Sequence, residues 1–222
     1  RIEAVATGLT FPTGVAFDSS GRAHVVEAGY SYGEVWTDPR LIRIESDGTK
    51  TVIATGTQNG PWNGIIFHGG NFFVAEGGQR EGGRILKISP DGEITALISD
   101  LPSMGDHHTN GPAVGPDGMI YFGQGTATNS AVVGTDNYEF GWLTRFPDFH
   151  DIPCRDVTLT GKNYTSANPL TEDTADRAVT GAFSPFGTPT TAGQVIEGRV
   201  PCTGAIMRIA ATGGTGQLGV GG

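Results

Sequence analysis

The sequence has no cluster of Lys or Arg, no heptad repeat, and no apolar run near the ~20 residues a membrane-spanning helix needs. A nucleic-acid groove requires concentrated positive charge to displace counterions, and this chain carries a net charge of −9. Nucleic acid is therefore excluded as a partner, and no membrane span is expected. Lysine and leucine are sparse, whereas glycine (36) and proline (13) are abundant within 222 residues. Such a chain breaks and turns often, which suits many short strands joined by tight turns and leaves helix a minor element. No short motif repeats over long stretches, so the glycines read as turn residues and not as a disordered tract.

Only two cysteines are present, Cys154 and Cys202, 48 positions apart. That spacing excludes paired redox, haem-attachment and zinc-knuckle motifs. Each follows a proline in polar surroundings, where a buried thiol is a poor fit. A disulfide is the expectation, and with it an oxidising compartment and a secreted protein, periplasmic or extracellular. The segment between them is polar and shows few strand signals.

Internal repetition is visible by eye. LIRIESDG at 41–48 recurs as ILKISPDG at 85–92 and as IMRIAATG at 206–213. Each reads as a short strand with a basic third residue, ending in a glycine-bearing turn. Upstream, GVAFDSSG at 14–21 leads to AHVVE at 23–27, GIIFHGG at 64–70 to FFVAE at 72–76, and GPAVGPDG at 111–118 to MIYFG at 119–123. Alternation on a two-residue period marks half-buried strands, and Pro-Asp-Gly suits a tight turn. Strand, turn, strand, gap, strand, turn, strand in units of about 40–50 residues predicts four-stranded antiparallel blades of an all-β propeller. An ordinary β-sandwich would not place three copies of a two-part motif in phase. Blade 1 is expected over about 1–55, blade 2 over about 56–101 and blade 3 over about 102–213, with an insertion over about 127–203. Three blades would leave open faces, to be covered by further blades of a longer, roughly six-bladed propeller or by self-association.

The stretch DHHTNGPAVGPDGMIYFGQG at 106–125 resembles the glucose/sorbosone dehydrogenase family. That family is marked by a His eight residues before a (G/S)-P-D-G turn and by a following strand that ends in Gly. His107 stands eight residues before Gly115 and matches; His108 is its neighbour. The resemblance implies a secreted six-bladed propeller that oxidises sugars with pyrroloquinoline quinone (PQQ) and calcium. It implies His107 as general base with Asp106 beside it, and Gln58, Asn59, His108 and Asn110 on the substrate side. Gln124 and Asn129, in a polar loop after the third blade's second strand, are weaker candidates for the cofactor. The departures are Pro61 and Trp62, which disturb the spacing after Asn59, and Thr109-Asn110-Gly111, where some members carry an Arg. The family completes its cofactor site from blades after the third, and those are not expected within this chain.

No metal site is expected from the residues themselves. Neighbouring strand residues point to opposite faces, so Asp106, His107 and His108 would need a turn to share an ion. Asp136 and Asp151 lack a regularly spaced acidic loop. Glu27 and Glu76 occupy equivalent repeat positions, as a carboxylate ring at a channel mouth or, preferably, as repeated structural hydrogen bonds. Asn163-Tyr164-Thr165 is a glycosylation sequon of a kind common by chance. Two functions fit: a PQQ-dependent sugar dehydrogenase, or a non-catalytic extracellular propeller for carbohydrate binding or surface assembly.

Overall fold

The structure is a computed structural model that describes residues 1–29, 37–78, 80–105 and 107–213. Strands β1 (Pro12–Phe17), β2 (Ala23–Glu27), β3 (Arg40–Ile44) and β4 (Lys50–Thr55) form one four-stranded sheet in chain order. Strands β5 (Trp62–His68), β6 (Asn71–Glu76), β7 (Gly83–Ile88) and β8 (Ile94–Leu101) form a second. Every neighbouring pair in these two sheets is antiparallel. The expected all-β character and the four-stranded antiparallel repeat are thus present. Strands β2 and β6, the second strands of the two sheets, are buried almost throughout, while the last strands β4 and β8 are largely exposed.

Strands β9 (Thr109–Val114) and β10 (Met119–Gln124) follow. The chain then passes through two four-residue helices, α1 (Asp136–Glu139) and α2 (Trp142–Arg145), and four strands. These are β11 (Val157–Thr160), β12 (Asn163–Ala167), β13 (Arg177–Gly181) and β14 (Ala192–Ile196). Strand β15 (Ala205–Ala210) returns to β10, giving a sheet in the order β15-β10-β9. Among the described residues this third sheet has three strands, not the expected four.

The Cys-flanked segment also departs from expectation, because it is rich in strand. β11 pairs antiparallel with β14, and β12 with β13, as nested two-stranded ribbons. Their residues are mostly exposed, so no apolar alternation marks them; Thr, Val and Tyr favour extended backbone without it.

The chain divides into two compact units. The first comprises Arg1–Leu101, Thr109–Gly123 and the stretch from Ile206; the second comprises Pro102–His108 and Gln124–Ala205. The insertion expected from about 127 is therefore a compact body of its own, and it takes the His107-His108 segment with it.

In the first unit, the repeat glycines mark where first strands of successive sheets approach. A Cβ on Gly14 of β1 would lie 3.0 Å from the Cα of Gly64 on β5. The Thr13 hydroxyl donates across the same gap to the Trp62 carbonyl at 2.7 Å. The core beside this contact holds Val26, Leu41, Trp62, Phe72 and Val74, all buried. Full burial of side chains of this size contributes roughly 1.5–3 kcal/mol each. On the first strand, Val15 and Phe17 are exposed.

The second unit has a smaller core of Ala127, Val133, Trp142, Leu143 and Phe149. The expected Cys154–Cys202 disulfide is formed there, with the two Cα atoms 5.1 Å apart. No described helix is long and apolar enough to cross a membrane.

Candidate functional site

His107 and His108 lie in the second unit, on the segment between β8 and β9. His107 is exposed, and its backbone N–H donates to the Thr126 carbonyl at 3.2 Å. Its ring Nδ1 lies 3.3 Å from the same carbonyl and 3.0 Å from Thr126 Oγ1. In the tautomer protonated at Nδ1 the ring donates to this carbonyl and Nε2 keeps its lone pair; in the other tautomer the Thr126 hydroxyl donates to Nδ1 and Nε2 carries the proton. Gly125 makes the close approach to His107 feasible. A Cβ built there would stand 2.3 Å from the His107 Cβ and 2.6 Å from its carbonyl carbon.

The loop that carries Thr126 is itself anchored. Asp151 is buried, and its carboxylate accepts the Ala127 N–H at 2.7 Å, the Thr128 N–H at 3.0 Å and the Thr128 hydroxyl at 2.6 Å. The sequence offered Asp151 only as a weak calcium candidate, and its use as a loop anchor left no pattern in the sequence. Asp106, the expected partner of His107, lies outside the described residues.

His108 faces the interior. Burial lowers its pKa from the usual imidazole value to about 4, against a raising contribution from a Ser103 backbone hydrogen bond. It is therefore neutral at physiological pH. The Gln124 side chain is also buried and donates to the Pro102 carbonyl at 3.0 Å, whereas Asn129 is exposed.

The other substrate-side candidates belong to the first unit. Gln58 and Asn110 are exposed, and Asn59 is buried. Asn59 Oδ1 accepts the N–H groups of Arg80 and Glu81, and Nδ2 donates to Glu76 Oε2 and to the Gly82 carbonyl. Those four bonds fill the amide's capacity, so Asn59 works as a latch on the β6–β7 connection and has nothing left to offer a sugar.

Glu27 and Glu76 are structural in the same sense. Glu27 accepts from Arg40 at 2.6 Å and from the Thr10 N–H at 2.6 Å. Glu76 accepts from Asn59, from Trp62 Nε1 at 3.3 Å and from Arg84 at 3.2 Å. Each Glu stands directly across from its Arg in the sheet register. The repeated Arg on the following strand was the signal that could have identified this pairing. Asn163 of the sequon is similarly occupied: it donates to Gly161 and Thr190 carbonyls and accepts the Thr190 N–H.

The described residues do not converge on a metal site of the kind that the resemblance implies. Among the described residues no group of three or more His, Cys, Asp or Glu converges. The partners of His107 given above are uncharged.

No family model matches the sequence, and no curated protein does either. Solved structures that match include the PQQ-bound form of aldose sugar dehydrogenase from Streptomyces coelicolor, at 20% identity and a TM-score of 0.45. The match covers 58% of this chain and 42% of that one. A putative oxidoreductase (glucose dehydrogenase) from Thermus thermophilus matches at 20% identity and a TM-score of 0.45, covering 59% of this chain and 42% of that one. A nidogen/laminin complex follows at 18% identity and a TM-score of 0.38, covering 53% and 40%. The chain thus spans about two fifths of the length of these proteins, and the sugars and cofactor in their names belong to them.

Proposed function

We propose that this chain is part of a secreted, sugar-oxidising β-propeller, in which His107 takes the proton of a sugar hydroxyl. The observation that carries this reading is the His107 imidazole. It is exposed and paired at Nδ1 with Thr126, and in the tautomer protonated at Nδ1 it keeps the Nε2 lone pair, on the motif that resembles the sugar dehydrogenases. An imidazole fixed through one nitrogen presents the other as a proton acceptor near neutral pH.

Removing a hydride from the same carbon requires an acceptor. Resemblance alone assigns that role to PQQ with calcium, and the chain's own contribution is the proton acceptor. Gln124 and Asn129, in the same unit as His107, are the cofactor-side candidates. The exposed Val15 and Phe17 on the first strand support a role for further blades or a second copy in covering that sheet.

PQQ titrated into the full chain with calcium, followed by dye-linked oxidation of a panel of aldoses, tests the reading. Saturable PQQ binding with sugar-dependent dye reduction supports it. Absence of both favours the non-catalytic propeller, a reading that the structural use of Asn59, Glu27 and Glu76 also supports.

A further inference from the structure

The second unit contains a cavity of about 360 Å³, walled by two stretches of the insertion, 145–152 and Arg199, and by Pro102 and Met104 from the segment after β8. Met104, Phe146, Phe149 and Ile152 give it an apolar lining, and two arginines, Arg145 and Arg199, stand on its wall. The Arg145 guanidinium lies over the Phe146 ring, 5.9 Å from its centroid. Among the described residues no ion pair joins either arginine to a carboxylate, although Asp148 lines the same cavity.

Two features keep these groups together. Behind the lining, the Phe149 ring is stacked on buried Trp142, with centroids 6.0 Å apart and planes 18° apart. The wall with Arg199 is tied to the wall with Ile152. The Arg199 N–H donates to the Pro153 carbonyl at 3.0 Å, the Thr203 N–H donates to the Ile152 carbonyl at 2.9 Å, and the Cys154–Cys202 disulfide closes the same join. The disulfide therefore helps bring Arg199, from the far end of the insertion, to a cavity formed mainly by residues 145–152.

We propose that this cavity binds a small organic anion, a carboxylate carried on a flat, ring-shaped apolar body. An aromatic lining takes the ring, and guanidinium groups with no carboxylate partner take the carboxylate through charge-assisted hydrogen bonds. The inference is independent of the sugar-oxidising reading, since it uses none of that site's residues.

Benzoate titrated into the full chain at low ionic strength, followed by amide chemical shifts, tests it. The expected result is saturable shifts centred on residues 145–152 and 199, with a dissociation constant below about 1 mM. Both arginines are exposed, so R145Q and R199Q should fold, and each should weaken benzoate by about fivefold or more. Benzyl alcohol, glucose and inorganic phosphate, which lack the charge, both features or the ring, should bind more weakly than benzoate. Absence of saturable shifts, equal binding of any of these three probes, or wild-type affinity in either variant would overturn the proposal.

Discussion

Nδ1 of His107 lies 3.0 Å from Oγ1 of Thr126, and the backbone N–H of His107 donates to the carbonyl of the same threonine. Ring and backbone are thus fixed by one residue. That residue sits between Gly125, which allows the approach, and the Ala127–Thr128 pair held by Asp151. Among the described residues, the hydrogen-bond partners that orient the imidazole come from a short, anchored loop.

Gly125→Ala should displace His107. The added Cβ would overlap the His107 Cβ at 2.3 Å, and the obstacle on the other side is His107's own backbone, so it cannot rotate away. We expect a loss of about 1–3 kcal/mol, typical of overpacking, with the His107 ring resonances moved. Chemical denaturation and imidazole NMR on the variant check this; unchanged stability and an unmoved ring would contradict the contact.

Asp151→Asn should loosen the same loop. The amide retains one acceptor oxygen but turns an NH₂ toward two Thr128 donors or the Ala127 N–H, leaving buried donors unpaired. The expected cost is about 2–4 kcal/mol in denaturant unfolding, with faster hydrogen exchange at Ala127 and Thr128. Exchange at wild-type rates would show that the carboxylate does not hold the loop.

His108 should make stability depend on pH in a defined window. Burial lowers its folded-state pKa to about 4, and the unfolded chain titrates at the ordinary imidazole value of 6.5. Between those values the unfolded state binds the proton and the folded state does not. The stabilisation is therefore complete above about pH 6.5 and is lost as pH falls toward 4, by up to about 3 kcal/mol. His24, whose pKa burial also lowers, acts in the same direction. The His108 ring resonance should stay at its neutral position down to about pH 5 in an NMR titration. Titration near the ordinary value would contradict the burial.

Asn59→Ala should cost stability. It removes four hydrogen bonds at once and strips buried Glu76 of one donor, for a loss of about 3 kcal/mol. A thermal melt on the variant, without ligand, is sufficient; an unchanged midpoint would contradict the latch role of Asn59.

Much of this fold was legible because its information is local and repeated. The turns at Gly48 and Gly92, the buried β2 and β6, and the first strands after Gly14 and Gly64 all follow from alternation and punctuation within one repeat. The ribbons between Thr158 and Val195 were not legible, since strands exposed on most of their residues carry no apolar period. The site divided in the same way. Spacing to the Gly115 turn singled out His107, but nothing in the sequence showed that Thr126 would hold it or that His108 would turn inward. Those facts depend on contacts between residues as far as 24 positions apart, such as Ala127 with Asp151.

The role of His107 can be measured directly. The full chain and its His107→Gln variant, each supplied with PQQ and calcium, are assayed for dye-linked oxidation across a panel of aldoses. The glutamine retains a polar group at the position but cannot accept the hydroxyl proton. The predicted result is turnover in the wild-type chain and a loss of about 100-fold or more in the variant, with PQQ affinity retained. Wild-type turnover in the variant, or no PQQ binding and no turnover in either chain, would contradict it.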